Sequence, residues 1–285
     1  MEFKKKNEDI VLQEKQVCLK DGTVFPMLIY PMLEQQDWLL HCFSTREGGV
    51  SEGVFSKLNL SFTRGDNQED VETNFRRLAE AMGVKYENFV FSDQTHTTNV
   101  RRVTVEDAGN GLIREKSFLD VDGMITNEPG LILSTFYADC VPLYFVDPVH
   151  RAIGLCHSGW RGTVGRIGRV TIEAMKREFD SRPEDLLCAI GPSICQDCYE
   201  ISEDVAIPFE QEFSAHASEI LYKKENGKYH LDLWRANELV LVEAGVKKEN
   251  IATTNICTCC NSEILFSHRA SKGKRGNLGA FLMIK

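Results

Sequence analysis

The chain has 285 residues, of which 42% are hydrophobic and 26% charged, proportions suited to a soluble globular protein with a sizeable core. Its formal net charge of −9 argues against nucleic acid or an anionic membrane surface as the main partner, since both repel an acidic protein. No apolar run nears the ~20 residues that span a bilayer, and the opening MEFKKKNEDI has no secretory apolar stretch, so a cytoplasmic protein is expected.

Residues 1–14 are polar and are expected to fray, leaving 15–285 as a single domain. Segments 17–30 and 38–43 are apolar and β-prone. Between 43 and 67 runs FSTREGGVSEGVFSKLNLSFTRGDN, a Gly/Ser/Thr/Asn loop. It is either an ordinary surface connection or an anion cradle in which Ser44, Arg46 and Arg64 supply hydroxyl and guanidinium donors.

Val71, Phe75, Leu78 and Met82, closed by Gly83, have helical spacing over 66–82. A short strand at 89–91 leads into SDQTHTTNV, which sets His96 on a polar bend before a second strand at 100–105. A strand over 120–126 follows. Residues 135–163 read TFYADCVPLYFVDPVHRAIGLCHSGWRGT, apolar runs separated by turn residues, and predict strand, turn and strand about Asp147 and Pro148. Antiparallel pairing about that turn brings Cys140 and His157 to the same end of one hairpin. The apolar face of 164–175 predicts a helix beginning just beyond His157, with its N-terminus and Arg161 facing whatever binds there. Further elements are a strand at 186–190, helices at 202–216 and 233–244, two short strands flanking Asn226 and Gly227, and strands at 251–256 and 280–284. No repeat or linker divides the chain. The order of elements predicts a mixed α/β (α+β) fold, a layered sandwich of mixed sheets flanked by helices.

Three side chains carry the chemical argument. A thiolate from Cys140 and imidazoles from His96 and His157 are ligands that zinc accepts, and three protein ligands leave a fourth position open. Asp139 is placed to orient a ligand or to move a proton. The competing reading is a buried thiol and a packed core histidine. A second group, Cys195, Cys198, Cys257, Cys259 and Cys260, is either a structural metal site or a set of buried or oxidised thiols. His41, His150, His216 and His230 are read as surface or packing residues, and His268 lies in a polar segment.

The blocks QTHTTNV, TFYADCVPLYFVDP and GLCHSGWRGT resemble the signature of the YfiH/YlmD laccase-domain family, and FSTREGGVS, AIGPSICQDCYEI and CTCCNSEILFSHRASKGKRG resemble its other blocks. The likeness runs from about residue 36 to the end. It implies a sandwich similar to the catalytic domain of cytotoxic necrotizing factor. It also implies a zinc site at His96, Cys140 and His157, with copper as the alternative ion. The implied activity is phosphorolysis of adenosine, inosine and S-methyl-5′-thioadenosine, with deamination of adenosine. The implied partners are a purine nucleoside and phosphate, in a monomer or homodimer. Ser44, Arg46, Arg64, Arg161 and Arg269 are the candidate substrate and phosphate contacts. Rival readings are a hydrolase of peptidoglycan precursors, a copper polyphenol oxidase and a non-enzymatic zinc-binding protein. The tail departs from the family pattern: His268 stands where an aromatic residue is usual, and KRGN, with Arg275, stands where TGR is usual.

Overall fold

The computed structural model describes residues 1–285. Its strands are β1 (Gln13–Cys18), β2 (Val24–Ile29), β3 (Leu39–Ser44), β4 (Phe89–Phe91), β5 (Val100–Arg102), β6 (Gly123–Thr126), β7 (Ile132–Tyr137), β8 (Val141–Asp147), β9 (Ala152–Ser158), β10 (Leu187–Ile190), β11 (Glu200–Ile201), β12 (Leu221–Lys223), β13 (Tyr229–Leu231), β14 (Ile251–Thr253) and β15 (Leu278–Ile284). The helices are α1 (Pro31–Glu34), α2 (Gln68–Met82), α3 (Trp160–Val164), α4 (Ile167–Phe179), α5 (Glu203–Glu212), α6 (Ala217–Ile220), α7 (Leu233–Glu243) and α8 (His268–Ser271).

Two six-stranded sheets, ordered β1-β2-β3-β15-β7-β4 and β14-β10-β8-β9-β6-β5, are joined by a three-stranded sheet β11-β13-β12. Pairing is mostly antiparallel, with parallel pairs β4–β7, β5–β6 and β10–β14. The expected α/β sandwich of mixed sheets is what forms.

Side-chain alternation builds its layers. In β15, Leu278, Ala280, Leu282 and Ile284 enter the core shared with Tyr144, Val146, Ile153 and Leu155 of the second sheet. Phe281 and Met283 point the other way, into the core beneath α2 with Val71, Phe75 and Leu78. In β8, Leu143 and Phe145 face α4 and α7 instead. The order is therefore helix, sheet, sheet, helices. A one-residue slip of β15 would exchange both rows, and each fully buried Leu or Phe is worth ~1.5–3 kcal/mol, so the register is strongly specified.

Several expectations are corrected. Within residues 1–14, Lys5 bridges Ile256, the Lys6 amide donates to the Asn255 carbonyl, and Leu12 is buried. Lys4 and Asn7 of that segment bond to Asn261 and Asn255 of the 255–261 turn. The stretch 17–30 is two strands, since Gly22 at φ 84 takes the left-handed turn that reverses the chain. The helix after His157 breaks at Arg166, whose φ of 57 ends one axis and starts another.

Candidate metal centre

The β8–β9 hairpin closes in the register that pairs Pro142 with His157 and Val141 with Ser158. Cys140, one residue before β8, and His157 thus share the open end of the hairpin. His96 arrives from the bend between β4 and β5, at a φ of 67 that few non-glycine residues adopt. The ligand atoms of His96, Cys140 and His157 all lie within 4.8 Å of one another. His157 is buried, Cys140 half-buried and His96 exposed, so the group opens outward.

Asp122, fully buried before β6, holds this arrangement together. One carboxylate oxygen meets His157 Nδ1 at 2.7 Å. The other accepts from the backbone N–H groups of Thr95 and Thr97, at 3.0 and 2.8 Å, on either side of His96. A single side chain therefore fixes one imidazole and the bend bearing the other, and leaves His157 Nε2 for the centre. Burial alone would push the Cys140 thiol up, but the imidazoles of His157 and His96 bring it down to about 6. Burial would lower His157, and the charges of Cys140 and Asp122 raise it to about 9.

The donor set fits a metal. One thiolate and two imidazoles suit zinc with an open fourth position, and suit copper equally well. Gly159 is part of the fit: a Cβ there would stand 2.8 Å from His96 Cδ2 and 3.3 Å from Cys140 Sγ.

The centre lies between two lobes of one cleft. One lobe, about 370 Å³, is bordered by Phe62, Arg64, Gln94, Phe136 and Arg275. The other, about 350 Å³, is bordered by Asp139, Trp160, Arg161, Tyr199, His268 and Arg269. His96, Cys140, Arg64 and Arg275 touch both lobes. Asp139, at φ 89, accepts from the Thr258 hydroxyl and the Arg269 amide, each at 2.7 Å, which fixes its carboxylate. A larger hollow of about 710 Å³ by the N-terminal segment contains none of the three donors.

Of the remaining candidates from the sequence, Arg64, Arg161 and Arg269 line the cleft. Arg161 stacks on Trp160 at 4.3 Å, and Arg269 caps the carbonyls of Cys198 and Glu200. Ser44 and Arg46 do not belong to it. Ser44 is fully buried and accepts from the Gly279 amide. Arg46 lies over the Phe266 ring at 4.5 Å and donates to the carbonyls of Ser56 and Ser262. Their loop does fold against the cleft, but these two side chains stitch its backbone instead of facing solvent.

Two residues gain roles from the fold: Asp122, which the sequence did not single out, and Arg275, which the sequence marked only as part of a departure from the family pattern. Asp122 is one of 42 acidic residues, and only its burial beside His157 distinguishes it. Arg275 is buried with its Nε unpartnered. Burial and neighbouring Arg64 lower its pKa to about 10. Arg275 Nη1 donates to the Gly276 carbonyl and the Asn277 side chain, and a buried guanidinium without a carboxylate partner beside an open lobe favours an anion.

Together the fold and the donors define an α/β sandwich protein with a Cys–His–His centre in a basic cleft. Residues 40–285 match the family described as multi-copper polyphenol oxidoreductase laccase, and the chain belongs to that family. It is 35% identical to purine nucleoside phosphorylase YlmD of Bacillus subtilis, over 85% of this chain and 87% of that protein. A purine nucleoside phosphorylase of Bacteroides thetaiotaomicron is 36% identical over 90% of this chain and 96% of its own. The crystal structure of YlmD from Geobacillus stearothermophilus superposes with a TM-score of 0.86 at 32% identity, covering 96% of this chain and 99% of that one. The Bacillus licheniformis protein YfiH superposes at 0.87, also at 32% identity, covering 91% and 96%.

Proposed function

We propose that residues 15–285 form one catalytic unit, a zinc-dependent purine nucleoside phosphorylase that also deaminates adenosine. The observation carrying this reading is the meeting, at one Cys–His–His centre, of a lobe bordered by Arg64 and Arg275, the latter buried without a carboxylate partner, and a lobe walled by aromatic rings. Relatives named purine nucleoside phosphorylase support it.

Phosphorolysis needs a cradle for phosphate, a slot for a flat base and stabilisation of charge on the departing purine. Arg275 and Arg64 serve the first, because both residues border both lobes and a guanidinium pairs well with phosphate. Trp160 and Tyr199, with Ile194 and Leu233, supply the slot. Asp139, held rigid by Thr258 and Arg269, presents its remaining lone pairs to protons of the base, and the same position serves proton movement during deamination. Zinc held by His96, Cys140 and His157 would supply Lewis acidity and activation of water. Inosine, adenosine and S-methyl-5′-thioadenosine are the substrates of choice, since the slot reads the base and the open cleft tolerates the 5′ substituent.

The chain argues against a multi-copper oxidase. Of its seven histidines only His96 and His157 join the centre. His41, His150, His216 and His230 bond to Tyr30, Asp147, Glu219 and Gln196 respectively. Several coppers would need more imidazoles than that.

Inosine and phosphate should yield hypoxanthine and ribose 1-phosphate. Cys140→Ala should abolish turnover with an unchanged circular dichroism spectrum, and Arg275→Met should raise KM for phosphate well above any change for inosine. Full activity in Cys140→Ala would exclude this mechanism.

A further inference from the structure

The two CxxC motifs, Cys195–Cys198 and Cys257–Cys260, are separated by 58 intervening residues and meet in space. The sulfurs of Cys195, Cys198, Cys257 and Cys260 all lie within 4.8 Å of one another. Cys195 and Cys257 are buried, while Cys198 and Cys260 are half-buried. Each motif forms a tight turn, Gln196–Cys198 being a short 3-10 segment, so each turn offers two sulfurs to the same point. Cys259, between the ligands in sequence, stands outside the group. We propose that these four cysteines form a tetrathiolate site for a single thiophilic divalent ion, zinc or iron, separate from the Cys–His–His centre.

Three features favour an ion over a disulfide. First, sulfurs bound tetrahedrally at ~2.3 Å from zinc stand ~3.8 Å apart, and Cys198 Sγ and Cys260 Sγ are 3.5 Å apart. A disulfide would need ~2.05 Å. Second, Cys257 Sγ accepts from the amides of Cys195 and Cys260, at 3.2 and 3.4 Å. Backbone donors aimed at sulfur stabilise the thiolate form. Third, four thiolates around a divalent ion leave net negative charge, and Lys6, paired with Asp197 at 2.7 Å, borders the same hollow as Cys195. The 710 Å³ hollow bordered by Lys6 and Cys195 offers an entry path. Binding converts the four thiols to thiolates, and their protons pass to solvent.

Such a site would brace the catalytic cleft. The Cys198 carbonyl accepts from Arg269, Thr258 bonds to the Asp139 carboxylate, and the Ile194 amide donates to the Asp139 carbonyl. It also fastens the N-terminal segment, where Lys4 to Lys6 bond to Asn255, Ile256 and Asn261.

The test uses the full chain carrying His96→Asn and Cys140→Ser, which dismantle the other centre. Purified under reducing conditions from zinc-supplemented culture, this variant should retain about one zinc or iron ion per chain by elemental analysis. Exchanged into cobalt, it should show the thiolate-to-cobalt charge-transfer band of a four-sulfur complex. Adding Cys198→Ser should weaken that band, and if this triple variant fails to fold the cobalt spectrum of the double variant still decides. No retained metal and no such band would overturn the proposal, as would recovery of Cys198 and Cys260 in one disulfide-linked peptide from protein purified without reductant. Neither outcome touches the activity expected of the intact Cys–His–His centre.

Discussion

His41 shows how a single histidine can be structural. It is buried in β3 and accepts the Tyr30 amide through Nε2 at 2.8 Å, a bond that requires the neutral ring. Burial holds its pKa at about 4, below the ordinary 6.5. The unfolded chain therefore binds this proton first as pH falls. The stabilisation is complete above pH 6.5 and is lost on acidification toward about 4, a difference of about 3 kcal/mol at ~1.4 kcal/mol per pKa unit. Urea unfolding between neutral pH and about pH 5 should show wild type losing stability faster than His41→Gln, which keeps an acceptor but does not titrate. Parallel pH curves for the two proteins would contradict this assignment.

At the scale of elements, the centre depends on how closely α3 starts against the His96 bend. Gly159 caps α3 at φ −73 and ψ 179, values that alanine adopts freely. Only its missing Cβ matters, because that atom would collide with His96 at 2.8 Å. Gly159→Ala should leave the unfolding midpoint nearly unchanged and weaken metal retention against a competing chelator on the order of tenfold or more, the scale seen when ligand orientation is disturbed. Equal retention would mean that the bend gives way without cost.

For the whole molecule, the decisive contact is between the two large sheets. Three buried tyrosines cross it: Tyr144 from β8 donates to the Cys42 carbonyl in β3, Tyr137 from β7 to Cys156 in β9, and Tyr30 beyond β2 to Ile190 in β10. Each hydroxyl would be costly if buried without a partner, so each selects one alignment of the sheets. Tyr144→Phe should lower the unfolding free energy by about 1 kcal/mol, measured by urea titration, without change in metal retention. No loss of stability would show that these bonds align the sheets but add nothing net.

Hydrophobic periodicity and turn residues determined by themselves the β8–β9 hairpin, α2, α7 and the layered α/β class, because alternation and capping are local properties. The same local logic put Cys140 and His157 at one end of a hairpin. Other features required the folded chain. Asp122 matters only through burial beside His157, distant in sequence, and Arg275 only through its burial at the border of the cleft. Ser44 and Arg46 looked like an anion cradle because their loop is polar, yet their groups are consumed by backbone carbonyls and amides that only tertiary packing brings near. The docking of residues 1–14 and the choice of Cys260 over Cys259 have the same cause: contacts between residues far apart in the chain are set by which surfaces pack together, and no short stretch of sequence encodes that.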